Sequence, residues 1–259
     1  MPDPGRSGVC TGRQDWENAW QSIPLQSRWT HTDETFLNLL RRFSGDNRPR
    51  RFLEAGSGAG HISHRLTGEN QECYLVDYVR QALRRGRDDF QTTGIQGHFV
   101  EGDIRALPFR NRVFDLSWNA GVLQTVPAKN QRELLAEMKR VTKPGAWVAV
   151  IVPRTEGALY RRRRRRLEAG AQWPYGKYES PSSEILESFE FCGFSEIQVE
   201  RFGPLDGLGE IRILGRVVSF MLTRTALGRS LEKIVQVIVP RGGYWVLMAG
   251  RVPGTGDLL

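Results

Sequence analysis

Cysteine is scarce in this 259-residue chain, and the three present, Cys10, Cys73 and Cys192, stand far apart. Without a CxxC pair or a cysteine–histidine cluster, the sequence offers no disulfide framework and no zinc site, and it suits a reducing cytoplasm. His31, His61, His64 and His98 lack the carboxylate company of a metal centre, so no metal is expected. Long apolar runs are lacking as well. The longest, Ala146–Val152, is far too short to cross a bilayer. Residues 1–14 contain no apolar stretch of the secretory-leader kind and read as a flexible tail.

What is present is an ordinary apolar content of 39% and a formal charge of +8. Such an excess favours anionic partners in general, but much of it is local, because Arg161 to Arg166 form one uninterrupted block. Trp16, Ala19, Trp20 and Ile23 recur at helical spacing, and a second helix is expected from Asp33 to Phe43 with Thr32 as its N-cap. Residues 15–45 therefore read as a helical cap. Beyond the breaker Gly45–Pro49, strands and helices alternate: strands at Phe52–Glu54, Glu72–Val76, Gly97–Val100, Val113–Trp118 and Ala146–Val152, with a Lys143-Pro-Gly145 turn before the last. The helices expected between them are His61–Thr67, Val79–Phe90 and Lys129–Val141. A further helix, Ser182–Phe191, is expected with Ser182 or Ser183 as cap, followed by strands Glu196–Phe202 and Gly242–Val252.

This alternation predicts an α/β fold, a doubly wound, mostly parallel seven-stranded sheet over residues 46–259. Two segments exceed what a connection needs: 154–178 and 204–240, read as lid and helical insertion before the last strand. Within the second, Ile211–Leu227 reads as a basic amphipathic helix and Leu231–Val239 as a second, apolar one.

The most informative stretch is Arg51-Phe-Leu-Glu54-Ala-Gly56-Ser57-Gly58-Ala-Gly60, a strand running into three glycines at alternate positions. Glycine allows positive φ and lets a ligand approach bare backbone. A dinucleotide turn would place its third glycine one residue later, and a P-loop would need Gly-Lys-Ser/Thr. The form seen here resembles motif I of the class I S-adenosylmethionine-dependent methyltransferases. Asp77, which ends the second strand, Gly102-Asp103-Ile104 after the third, Leu107-Pro-Phe109, Val122–Val126 and Val141–Gly145 follow in the family's order, closest to its small-molecule branch.

The resemblance implies S-adenosyl-L-methionine as cofactor and Glu54, Gly56, Ser57, Gly58, Gly60, Asp77, Tyr78, Asp103, Ile104 and Asn119 as its contacts. Glu54 would hold the methionine amino group, Asp77 the ribose hydroxyls, and Asp103 with Ile104 the adenine. It further implies in-line methyl transfer to a small molecule, aromatic, quinone-like or lipid-linked. No general base stands out; His31, His64, Asn119 and Gln124 are the catalytic candidates, and Gln124 departs from the family's usual histidine or glutamate. Two other readings remain: a nucleic-acid methyltransferase, against which Asn119-Ala-Gly stands in place of a base-amine signature, and a non-catalytic binding scaffold. The arginine block (Arg161, Arg162, Arg163, Arg164, Arg165, Arg166) and the 204–240 hairpin suggest peripheral contact with an anionic membrane, or a lid or homodimer face.

Overall fold

A computed structural model describes residues 12–22, 29–44, 50–68, 70–170, 178–204, 206, 230 and 243–254. Its seven strands are β1 (Arg50–Ala55), β2 (Gln71–Asp77), β3 (Gly97–Glu101), β4 (Phe114–Ala120), β5 (Thr142–Pro153), β6 (Glu196–Phe202) and β7 (Trp245–Arg251). They form one sheet in the order β3-β2-β1-β4-β5-β7-β6. All neighbours pair in parallel except β7, which runs antiparallel to β5 and β6. The doubly wound α/β reading therefore holds, with one antiparallel strand near the edge.

The helices are α1 (Arg13–Ser22), α2 (His31–Ser44), α3 (His61–Leu66), α4 (Arg80–Thr93), α5 (Ala128–Val141), α6 (Ala158–Ala169) and α7 (Ser182–Phe191). Residue parity along the central strands assigns the two faces. Val148, Val150, Val152, Val246 and Met248 pack with α5 and α7, whereas Ala149, Ile151, Leu247 and Ala249 pack with α2 and α3. Successive strand side chains point to opposite faces, so strands buried on both sides read as continuous apolar runs.

Three local expectations are corrected. Helix α2 is capped by Thr30, not Thr32: Thr30 Oγ1 accepts the Asp33 amide at 3.2 Å and Asp33 Oδ2 accepts the Thr30 amide at 2.7 Å, a reciprocal capping box. Helix α7 starts after Pro181 with no side-chain cap, because Ser182 Oγ donates to Glu156 instead. Lys143-Pro-Gly145 is a bulge within β5 rather than a turn before it, since Thr142 pairs with Phe114 and the register then jumps to Trp147 opposite Leu116. Of the inserted segments, 207–229, 231–242 and 171–177 lie outside the described residues, and with them both helices expected there, Trp173 and Tyr175. Among the described residues, no helix is long and apolar enough to cross a membrane.

Candidate functional site

The site starts from the backbone of the glycine turn. Gly56, Gly58 and Gly60 have φ of 74°, 54° and 70°, values that L side chains seldom adopt. Space is short as well as torsion. A Cβ on Gly56 would stand 2.7 Å from Val122 Cγ2; on Gly58 it would collide with the Trp20 indole, and on Gly60 with Leu75. The turn is strapped to β2 by the Gly56 and Ser57 amides, which donate to Val76 O at 2.8 and 3.1 Å.

Asp77 completes the strap. Its Oδ2 accepts the Gly58 amide and its Oδ1 the Val79 amide, each at 2.8 Å. The side chain thus joins the glycine turn to the start of α4. Burial pushes the Asp77 carboxyl up, and its backbone donors counter the shift. Each carboxylate oxygen keeps a further lone pair for a ligand hydroxyl.

Beside it, Glu54 is buried at 5% exposure, and its Oε2 has no hydrogen-bond partner. Loss of hydration pushes its carboxyl up to about 8, with the Asp77 charge adding to the rise. A buried carboxyl oxygen is costly unless a partner satisfies it.

Two cavities adjoin at this point. The smaller, about 210 Å³, is lined by Glu54, Gly56, Ser57, Gly58, Asp77 and Tyr78 below and by Trp16 and Trp20 of α1 above. The larger, about 720 Å³, extends past Tyr78, Ile104 and Val122 to Asp103, Arg105 and Asn130. Trp16, Tyr78, Ile104 and Val122 line both. Tyr78 is half-buried, and burial raises its hydroxyl. Asp103 already forms a bidentate ion pair with Arg105, 2.6 Å at its shortest, which lowers its carboxyl. Arg105 thus engages both Asp103 oxygens, Oδ1 through its amide and Nε and Oδ2 through Nε and Nη2.

Of the sequence-derived site residues, the structure thus brings Glu54, Gly56, Ser57, Gly58, Asp77, Tyr78, Asp103 and Ile104 to the two cavities, while Gly60 supports the turn from behind. Asn119 is placed elsewhere. It is fully buried in β4, donates its amide to Ala55 O beneath the turn and lies outside both cavity linings. The catalytic candidates are not gathered either. His64 bonds Thr93 at 2.7 Å and stacks edge-on to Phe90, behind the turn; His31 opens α2 and lines neither cavity. Gln124, buried in the 3-10 turn Leu123–Thr125, donates to Gly121 O at 2.9 Å. Asp115 bridges β1 and β5 through the Arg51 amide and Lys143, as a structural residue.

Sequence reasoning did not single out Val122. It projects from the loop after β4, where no strand or helix period marks it, and only contact with Gly56 reveals its part. Trp16 and Trp20 were legible as an i, i+4 pair on one helix face, but their target was not.

The pH dependence of ligand binding follows from Glu54. At neutral pH it is protonated in the free protein, and a ligand ammonium group beside it would favour the ionised form. Binding then releases a proton, so affinity for S-adenosylhomocysteine should rise with pH, approaching about tenfold per unit, and flatten above about pH 8. Calorimetry across pH checks this, and Glu54→Gln, measured in parallel, removes the ligand's own titration. A wild-type profile identical to that of the variant would refute the coupling.

Comparison with known proteins agrees with this geometry. Residues 52–145 match the family model described as "Methyltransferase domain". Ubiquinone/menaquinone biosynthesis C-methyltransferase of Erwinia tasmaniensis is 35% identical over 113 residues, 42% of this chain and 44% of the relative. The chain thus aligns with less than half the length of that relative. Among solved structures, a Thermotoga maritima S-adenosylmethionine-dependent methyltransferase, a possible histamine N-methyltransferase, aligns with TM-score 0.57 at 15% identity, covering 85% of this chain and 89% of that one. Haemonchus contortus phosphoethanolamine N-methyltransferase 2, in complex with S-adenosyl-L-methionine, gives TM-score 0.60 at 19% identity, covering 92% and 56%. The segment that carries the glycine turn, Asp77 and Asp103 thus matches a methyltransferase domain, within a chain that has the fold of S-adenosylmethionine-dependent methyltransferases.

Proposed function

We propose that the protein transfers a methyl group from S-adenosyl-L-methionine to a small, ring-bearing acceptor of the quinol or phenol type. The observation that carries this reading is the clasp of Asp77 on the Gly58 amide, at the floor of a cavity that the buried Glu54 also lines. The fit is specific in two respects. The turn leaves a Cβ-free cradle for a ligand, and the two buried carboxyls offer acceptors of the kind that an ammonium and a pair of vicinal hydroxyls require. When bound, the cofactor supplies an electrophilic methyl on a sulfonium leaving group.

The chain's own part is then holding and shielding. Glu54 takes the amino group, Asp77 the ribose, and Ile104 with Val122 the faces of the adenine. Trp16 and Trp20 close the cavity from α1 and keep water from the reacting end. Fixing two reactants in this way is worth on the order of 7–11 kcal/mol of barrier. No histidine lines either cavity among the described residues, which favours an acceptor whose nucleophile ionises readily by itself. The relative's printed name, a C-methyltransferase of quinone biosynthesis, supports the same class. A cytoplasmic setting suits the free thiols of Cys73 and Cys192.

Two measurements test this. Calorimetric titration with S-adenosylhomocysteine should give saturable binding, and loss of that binding in Asp77→Ala would tie it to the pocket. Incubation with methyl-labelled cofactor and a panel of reduced quinones and phenols should give a labelled product. Binding without product across the panel would favour the scaffold reading, whereas no binding would sink the pocket assignment itself.

A further inference from the structure

The six consecutive arginines of α6 are identical in sequence but not in surroundings. Positions i, i+3 and i+4 share a helix face, so the block splits in two. Tyr160, Arg163 and Arg164 bond back to the protein: Tyr160 is buried and donates to Glu179, Arg163, though exposed, donates to Tyr244 Oη at 3.2 Å, and Arg164 pairs with Glu168 and Glu179. Glu179 is almost fully enclosed, with 5% side-chain exposure. These inner arginines fasten the helix.

The opposite face carries Arg161, Arg162 and Arg165. All three are exposed, and none has a carboxylate partner among the described residues. Arg165 Nε only touches Arg161 O, at 3.3 Å. Arg161 and Arg165 border an open cleft with Glu168, Glu179 and, just beyond the end of β5, Thr155 and Glu156, so the stripe stands at the sheet edge where β1 runs into the glycine turn. Parallel α/β folds open their ligand crevices at that carboxyl edge.

We propose that Arg161, Arg162 and Arg165 dock the protein on an anionic membrane surface. Guanidinium groups engage phosphate in forked pairs, and the field of anionic headgroups attracts each basic residue near it. The shape of the stripe selects this partner over nucleic acid. It is the exposed face of one helix, and the cleft that Arg161 and Arg165 border has no aromatic lining, whereas single-stranded nucleic acid is gripped in a basic groove with stacking platforms. An exposed cationic helix face meets an anionic surface directly, and it brings the carboxyl edge of the sheet toward acceptors dissolved in the bilayer.

The test uses the full chain in flotation with phosphatidylglycerol-containing vesicles and with pure phosphatidylcholine vesicles at low ionic strength. Wild type should co-float with the anionic vesicles only, and added salt should release it. Arg161→Gln/Arg162→Gln/Arg165→Gln should lose partitioning on the order of a hundredfold, at about fivefold per arginine. A control that removes equal charge elsewhere, Arg84→Gln/Arg110→Gln/Lys129→Gln, should keep most of it. Thermal unfolding of both variants should match wild type, since these side chains are exposed. The proposal is overturned if wild type ignores anionic vesicles, if it binds neutral ones equally, if the stripe variant still floats, if the control loses as much, or if a single-stranded oligonucleotide binds the stripe more tightly than the vesicles. Flotation requires neither cofactor nor turnover, so its failure is distinct from failure of the methyl-transfer reading.

Discussion

Asp77→Asn is expected to weaken S-adenosylhomocysteine binding nearly as much as Asp77→Ala, on the order of a hundredfold. The two look unequal on paper, because asparagine keeps the size and one oxygen of aspartate. The geometry removes that advantage. Asp77 accepts two backbone amides, Gly58 at Oδ2 and Val79 at Oδ1. An asparagine has a single oxygen, so its NH2 must face one of those N–H donors, and donor against donor repels. The glycine turn or the start of α4 is then released, together with the charge that would hold a ribose. Hydrogen bonds to a charged group contribute about 1.5–3 kcal/mol each, and losing one or two also lowers the unfolding midpoint. Calorimetry and thermal denaturation of the three proteins, with and without ligand, read both effects. An asparagine variant within about threefold of wild type in affinity would show that Asp77 is only a helix cap.

Gly60→Ala is expected to cost about 3–5 kcal/mol of stability, against about 1–2 kcal/mol for Gly94→Ala. The pair is a controlled comparison. Gly60 and Gly94 have nearly the same torsion, φ of 70° and 71°, so the conformational penalty of a side chain is common to both. Their surroundings differ. A Cβ at Gly94 meets nothing within 4 Å, whereas one at Gly60 runs into Leu75, a fully buried strand residue packed against Phe90. Overpacking a core of this kind costs typically about 1–3 kcal/mol beyond the torsion. Urea unfolding of the two variants measures the difference directly. Equal destabilisation would mean that α3 shifts freely away from β2, and cofactor affinity in Gly60→Ala would then survive.

The contrast between these residues shows where sequence reading succeeds. The glycine turn was legible because each of its requirements is met by one residue's own torsion, and the residue type reveals it. The burial of both sheet faces was legible in the unbroken run Ala146–Val152 and in the alternation of Tyr244 to Met248. The N-cap of α2 was misread although its signal was present. Thr30 has an acidic residue three positions on, Asp33, and Thr32 does not, so the capping-box spacing favours the residue that the structure uses.

Other features depend on what distant segments bring together. The strand order, with β7 inserted antiparallel between β5 and β6, is set by pairings across residues 142–153, 196–202 and 245–251. No local pattern distinguishes β7 as the inner strand. Asn119 illustrates the same limit: its place in the sequence, at the end of a strand beside the pocket, is right for a ligand contact, yet its amide is taken by Ala55 O.

By itself, then, the sequence determined the fold class, the cofactor-type turn and the identity of its acidic partners, because those rest on torsion, periodicity and residue charge, which travel with the chain. Only the tertiary structure decided which groups remain open to ligands. Asp103 is shared with Arg105, Glu54 keeps an unsatisfied oxygen, His31 and His64 line neither cavity, and of six consecutive arginines two bond back to the protein while three face outward. Hydrogen-bond and ion-pair capacity is consumed by whichever group folding places nearest, and that assignment exists only once the chain has closed on itself.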